Sequence, residues 1–292
     1  MIIRYLNNIH NILYIDWNIF ILLKEDKNLL EIINPDGYDL VYSPAHIEDL
    51  ANSVMKKNID KHITELDLEF LSNVTQNREF YPNHGDLDCN NAICLVKENP
   101  VDCFNRVIEY YDKTKLAENL NKQVLQNAIE QNYYNYETNK INNISPFNIF
   151  KEIFPRLIMK EQFVFDYNKN ILIHKKQYLY LSNKIRNLKT NNFNINNFNT
   201  NFFNLLTIIE IIEMLVDLLD NIGYWKDKIK NSYNSYNRMN DVTHIIYGVF
   251  ANRFIIADKR MFQRVKAIYN FLDVKSETLF FDQNTKIIKE SI

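Results

Sequence analysis

Residues Asn11–Leu23 read NILYIDWNIFILL, and this stretch decides the fold. Four consecutive apolar residues, Ile12 to Ile15, run into an acid, and the apolar character resumes at Ile19. Continuous rather than alternating hydrophobicity is the mark of a strand buried on both faces, as in a parallel sheet. Asp16 sits where that strand ends, and a helix is expected to begin around Asn18.

Working outward, Asn34-Pro35-Asp36-Gly37 is a strong turn signal. Asp39 to Tyr42 follows as a second short strand. Ser43-Pro44 then opens a helix, SPAHIEDLANSVM, that runs toward Lys57, with Ser43 as cap and Pro44 at the first helical position. The C-terminal part repeats the alternation. Asp241–Ala251 suits a helix, Arg253–Ala257 a short buried strand ending at Asp258, Lys259–Leu272 an amphipathic helix, and Ser276–Phe281 a further strand. Strands alternating with helices predict a parallel α/β sheet flanked by helices.

The middle reads differently. From about Asp60 to Lys189 the apolar residues fall mostly at helical spacing, as at Val107, Tyr110, Tyr111, Leu116, Leu120, Val124 and Ile129. Thr190–Phe203, TNNFNINNFNTNFF, is low in complexity, and its asparagines cannot build a packed core. Leu205–Leu219 is again a helix. The organisation expected is a discontinuous α/β domain over 1–58 and 204–292, split by a long helical insertion over 59–203 with an Asn-rich loop near 189–203.

The composition narrows the chemistry. Of 292 residues 46% are hydrophobic, so a sizeable core is within reach, and the net charge of −2 excludes a globally basic nucleic-acid binder while leaving room for a local basic patch. Only four glycines are present, and neither G-x-G-x-x-G nor G-x-x-x-x-G-K-[ST] occurs, so ATP or NAD chemistry has no local support. Cys89, Cys94 and Cys103 fit no zinc motif and no disulfide framework, which points to reduced thiols. Asn83–Asn90 superficially suggests a calcium loop, but Asn91 and Lys97 stand where its glycine and glutamate belong. The N-terminus lacks a basic region followed by a clean apolar run, and Glu210, Glu213 and Asp217 interrupt the longest apolar helix. A cytoplasmic protein without membrane contact is expected.

Active sites of open parallel sheets form at the carboxyl ends of the strands. Asp16 and Asp258 both follow short apolar strands directly, and neither position needs a carboxylate for folding. Buried charge is costly unless it is paired or binds metal. Two such acids at equivalent strand ends would repel one another and favour a divalent cation. Mg²⁺ and Mn²⁺ prefer oxygen ligands, and such ions bind a phosphodiester and activate water without any nucleophilic side chain.

Tyr14-Ile15-Asp16-Trp17-Asn18 resembles the first-strand motif of PIN-domain nucleases, an apolar run followed by D-x-N. Tyr42 to Leu50, YSPAHIEDL, resembles the second-strand region of that family, where Ser opens a helix carrying an acid about six residues on. Asp241 at a helix start, then strand Phe254–Ala257 and Asp258, 17 residues after Asp241, resembles its C-terminal pair of acids. The resemblance implies a PIN-like parallel sheet and a metal-binding, catalytic set of Asp16, Asp49, Asp241 and Asp258. It implies Mg²⁺ or Mn²⁺ as cofactor and endonucleolytic cleavage of RNA, single-stranded above all. By family analogy the setting would be a toxin, antiviral defence or RNA processing, with a second copy or a regulatory protein as a compatible partner. Many members carry Ser or Thr two residues before the last acid; this chain has Ile256. A non-catalytic PIN-like binding subunit, a DNA nuclease of related fold and a mostly helical regulatory protein are the rivals.

Several assignments stay open at this level. Glu48 competes with Asp49, because adjacent helix positions point about 100° apart. Asn18 can orient Asp16 or cap the helix. Asp16 and Asp258 can be caps, and Asp241 a charge favoured by a helix dipole. His46 and His244 lie three residues from candidate acids and can orient them or simply pack. Arg253, Lys259, Arg260, Arg264 and Lys266 form one basic group suited to an RNA backbone. His174, Lys175, Lys176, Lys184 and Arg186, with Tyr178 and Tyr180 between them, form another.

Overall fold

The computed structural model describes residues 4–5, 11–57, 61–83, 93–113, 141–152, 183–184, 202–226 and 232–291. In chain order the elements are β1 (Arg4–Tyr5), β2 (Ile12–Ile15), α1 (Trp17–Glu25), α2 (Leu29–Ile33), β3 (Asp39–Val41), α3 (Pro44–Lys57), α4 (Lys61–Thr75) and β4 (Arg78–Pro82). They continue as β5 (Ile93–Lys97), α5 (Pro100–Lys113), α6 (Phe202–Asn221), α7 (Ser232–Gly248), β6 (Arg253–Ile256), α8 (Lys259–Leu272), β7 (Glu277–Asp282) and β8 (Ile287–Lys289).

The central sheet has the order β3-β2-β6-β7-β8. Its first four strands are parallel, and β8 is antiparallel at the edge. The order β1-β5-β4 forms a second, antiparallel group. The two groups meet at Tyr42, which forms a parallel bridge with Glu79. Tyr42 N–H donates to the carbonyl of Arg78 at 3.0 Å and Phe80 N–H to the carbonyl of Tyr42 at 2.8 Å. Strand β4 therefore extends the parallel run to β4-β3-β2-β6-β7.

The sheet is buried on both faces, as the run Ile12–Ile15 requires. Ile12 and Tyr14 join Phe80, Phe254 and Phe280 under α6, α7 and α8. Leu13 and Ile15 point the other way, joining Tyr42, Ile255 and Phe281 under helices that include α1, α3, α4 and α5. Parallel pairing in register, Tyr14 beside both Val41 and Phe254, makes each strand serve both layers.

The chain first builds from β2 outward to β3 and β4, then returns to the other side of β2 for β6 and β7. The order reverses between β2 and β6. In open α/β sheets ligands bind at such a reversal, outside the carboxyl ends of the strands.

Gly248 ends α7 where the helix is pressed onto β6 and α8. A Cβ there would lie 2.5 Å from Phe254 Cδ1 and 2.6 Å from Tyr269 Oη, whose hydroxyl donates to the carbonyl of Ile245. We expect Gly248→Ala to destabilise the fold by about 1–3 kcal/mol. A urea midpoint unchanged from wild type would show that the contact relaxes freely.

The α/β reading holds, with β2 and α8 at the expected bounds, and the sheet removes the mostly helical alternative. Helices α4 and α5 agree with the helical reading of the middle. Strands β4 and β5 do not: REFYP and ICLVK are short apolar runs, which periodicity alone cannot separate from buried helix. Helix α7 begins at Ser232, so Asp241 lies well inside it and is not the opening charge that the sequence suggested. Its polar first half, SYNSYNRMN, carries no apolar stripe that would have announced a helix. Most of the Asn-rich stretch, the apolar positions Leu116 to Ile129, and His174 to Tyr180 with Arg186 lie outside the described residues. No helix among the described residues is long and apolar enough to cross a membrane.

Candidate functional site

Asp16 leaves β2 and enters α1 with both carboxylate oxygens engaged. Oδ1 accepts from Ile19 N–H at 2.9 Å and caps α1. Oδ2 accepts from Ala257 N–H, also at 2.9 Å, and so closes the end of β6. The side chain spans the two strands between which the sheet order reverses. Asp258 follows Ala257 directly, with its Cα about 3.8 Å farther along the chain, and its Oδ1 caps α8 by accepting from Met261 N–H at 2.8 Å. Both acids thus fill the capping role that the sequence allowed, and both stand at the reversal point. Each oxygen of Asp16 keeps a second lone pair.

Asp16 is 2% exposed, and burial pushes its carboxyl up to about 6 against the two backbone hydrogen bonds and the charge of His244, with Asp258 adding to the rise. The stability consequence has a definite sign. Asp16 is about two units less acidic in the folded chain than the ordinary 3.8, so the folded state takes up its proton first. This stability is fully present below about 4 and is lost as pH rises through about 6, up to about 3 kcal/mol. We expect Asp16→Asn to flatten stability between pH 4 and 7, read from denaturant midpoints. An unchanged slope would contradict the assignment.

Helices α3 and α7 bring the next residues. Asp49 Oδ1 accepts from Asn240 Nδ2 at 2.5 Å, and its Oδ2 pairs with His244 Nε2 at 2.9 Å. Asn240 and His244 are four residues apart and share a face of α7. The chain of contacts continues inward from His244 Nδ1 to Tyr14 Oη at 2.7 Å, and from Tyr14 Oη to Ser43 Oγ at 2.7 Å. His46 ends it. Its Nδ1 accepts from Ser43 N–H at 3.0 Å, so Nε2 carries the proton and donates to the carbonyl of Ile15 at 2.7 Å. His46 is therefore a packing residue, held neutral by burial and by neighbouring His244.

His244 differs. Burial opposes its charge, but the Asp49 hydrogen bond and the charges of Asp49, Asp16 and Asp241 outweigh it, raising its proton affinity. Three of the four acids read from the sequence thus act on one imidazole, and the fourth, Asp258, acts on Asp16. Asp241, one position round α7 from Asn240, pairs with Arg264 at 3.2 Å. Arg264 is 2% exposed and also pairs with Asp220 of α6 at 3.3 Å.

Between Glu48 and Asp49, only Asp49 is hydrogen-bonded to α7. Glu48 is half-buried, and burial, then the charge of Asp49, pushes its carboxyl up to about 7. The basic group of the C-terminal part does not gather in one place. Arg253 begins β6, at the opposite end from Asp258, where it pairs with Glu277 and Asp36 and lies over Tyr38. Arg264 is committed to Asp220 and Asp241. Lys259 and Arg260 are exposed beside Asp258, with Lys259 Nζ 5.4 Å from the centre of the Trp225 ring.

A second cluster was not anticipated. Glu79 on β4, Glu98 just after β5 and Cys103 on α5 each place a ligand atom within 4.8 Å of the others, and all three are buried. These residues could hold a metal ion. Among the described residues this is the set that meets that spacing; no three of Asp16, Asp49, Asp241 and Asp258 do. Arg106 Nη2 lies 2.7 Å from Glu98 Oε2 and 3.3 Å from Glu79 Oε1. Tyr42 Oη donates to the Glu98 carbonyl at 2.9 Å and to Glu79 Oε2 at 3.3 Å. Burial first, then the adjacent Glu98, holds the Glu79 carboxyl well above the usual range, and burial does the same for the Cys103 thiol. The one sequence signal was an acid inside an apolar strand, Glu79 before Phe80 and Tyr81. Cys94 and Cys103 are buried thiols outside any disulfide, as the cysteine count suggested, and Cys89 lies outside the described residues.

Compared with family models, curated proteins and solved structures, the chain matches none.

Proposed function

We propose that the chain is a PIN-like endoribonuclease that hydrolyses phosphodiester bonds of single-stranded RNA. Its Mg²⁺ or Mn²⁺ would be held by Asp16, Asp49, Asp241 and Asp258. The observation that carries the reading is the position of Asp16. It bridges β2 and β6 at the point where the strand order reverses, with Asp258 one residue beyond its hydrogen-bond donor. Asp49 on α3 and Asp241 on α7, the helix that carries His244, act electrostatically on the same imidazole as Asp16.

Bound ions would supply charge for the phosphate and lower the pKa of the attacking water. The residues of this chain would do the rest. Asp16 would offer its remaining lone pairs while its backbone hydrogen bonds fix its direction. His244 would orient Asp49 through Nε2, with Tyr14 behind it. Lys259 and Arg260, exposed beside Asp258, would meet the RNA backbone.

The direct test incubates the purified chain with labelled RNA and DNA in Mg²⁺, Mn²⁺ or EDTA. RNA cleavage that needs the metal supports the reading, and cleavage of DNA alone would redirect it to a DNA nuclease. The absence of cleavage of either polymer would favour the second reading, a PIN-like subunit that binds without cutting. That reading has its own support. Both oxygens of Asp16 and of Asp49 already serve the protein as acceptors, and Ile256 lacks the hydroxyl that many PIN domains carry.

A further inference from the structure

We infer that Glu79, Glu98 and Cys103 form a site for one thiophilic divalent cation of the zinc type, separate from the acids at the β2–β6 reversal. The donors come from β4, the residue just after β5, and α5, and are 0%, 3% and 0% exposed. Their spacing suits zinc. Cys103 Sγ donates to Glu79 Oε1 at 3.4 Å, close to the roughly 3.6 Å that a tetrahedral ion bound at about 2.3 Å from sulfur and 2.1 Å from oxygen would set between those atoms.

Glu98 supplies an independent sign. Its Oε2 is paired with Arg106, but its Oε1 is buried and accepts no hydrogen bond. A buried acceptor left so is costly, and a cation among the three donors would satisfy it. The charges close as well. A thiolate and two carboxylates are neutralised by the Arg106 guanidinium together with one divalent ion. Binding releases the thiol proton.

Sulfur among the donors selects against Mg²⁺, which requires six oxygens, and favours zinc. Three protein ligands leave a fourth position open, the pattern of zinc sites that bind water or substrate. Arg106 is the way in. Its side chain is 34% exposed while the carboxylates it touches are 0% and 1% exposed, and its guanidinium lies 4.9 Å from the centre of the Tyr81 ring. Moving outward along Tyr81, it would yield the carboxylates to the ion and keep its charge nearby.

The test titrates the chelator-stripped full chain with Co²⁺ alone and then displaces it with Zn²⁺. Co²⁺ should produce a thiolate-to-cobalt charge-transfer band that saturates at one equivalent per sulfur site and that Zn²⁺ bleaches. Cys103→Ser should abolish the band, and Cys89→Ser should not. Glu98→Gln, of equal size, should weaken binding by about 10-fold or more, with the far-ultraviolet dichroism unchanged. Arg106→Gln, which removes the competing cation, should tighten it. No band in the wild type, or a band that survives Cys103→Ser, overturns the site and leaves a buried ion-pair network. Asp16→Asn should leave the band intact, so failure here and failure of the nuclease reading are told apart.

Discussion

Replacing Asp16 with asparagine is expected to reduce metal-dependent cleavage of single-stranded RNA by more than about 100-fold, which exceeds what the loss of a supporting residue around a metal costs. The change is nearly isosteric. One side-chain oxygen remains to accept from Ile19 or Ala257 N–H, while the amide nitrogen that replaces the other oxygen cannot accept. A buried charge disappears at the same time, so loss of a hydrogen bond and relief of desolvation offset each other in stability. Activity has no such offset, because an amide is a poor ligand for a hard cation. The decisive measurement pairs single-turnover cleavage rates with a urea midpoint for the same preparation. A variant that folds and still cuts at more than about a tenth of the wild-type rate would remove Asp16 from the proposed chemistry.

Arg264→Ala should produce the largest loss of stability, about 3–5 kcal/mol, because a buried guanidinium is removed from between two carboxylates. Arg264 extends from α8 to Asp220 on α6 and Asp241 on α7, and so ties together the three helices that cover one face of the sheet. Lysine keeps the charge but not the forked geometry that reaches both acids, so Arg264→Lys should lose less. A loss below about 1 kcal/mol for Arg264→Ala, measured by chemical denaturation, would show that the ion pairs do not organise the helices. The same variant would also free Asp241 from Arg264. If Asp241 holds metal, the remaining folded fraction should bind Mn²⁺ at least as tightly as wild type.

Much of the frame was legible in the chain. Ile12–Ile15 reads as a doubly buried strand because all four residues are apolar, and Asp16 as its end because a carboxylate cannot continue such a run. Lys259–Leu272 reads as a helix because its apolar positions recur at 3.6-residue spacing and Asp258 precedes it as a cap. Other features left little local signal. Strands β4 and β5 are five residues each, too short for periodicity to speak. Asp241 looked like a helix start because the turns before it, SYNSYNRMN, are polar.

The sequence by itself determined the α/β alternation, the strand ends at Asp16 and Asp258, and the two-sided burial of the sheet. These follow from hydrophobic patterning and capping, which act between residues close in the chain. Only the tertiary structure decided which partners those residues meet. It set Asp16 against Ala257, 241 residues away, and Asp49 against His244, 195 residues away. It sent Arg264 inward to Asp220 and Asp241, and it assembled Glu79, Glu98 and Cys103 from a strand, a strand end and a helix. Such contacts depend on strand order and helix packing, so no local spacing encodes them.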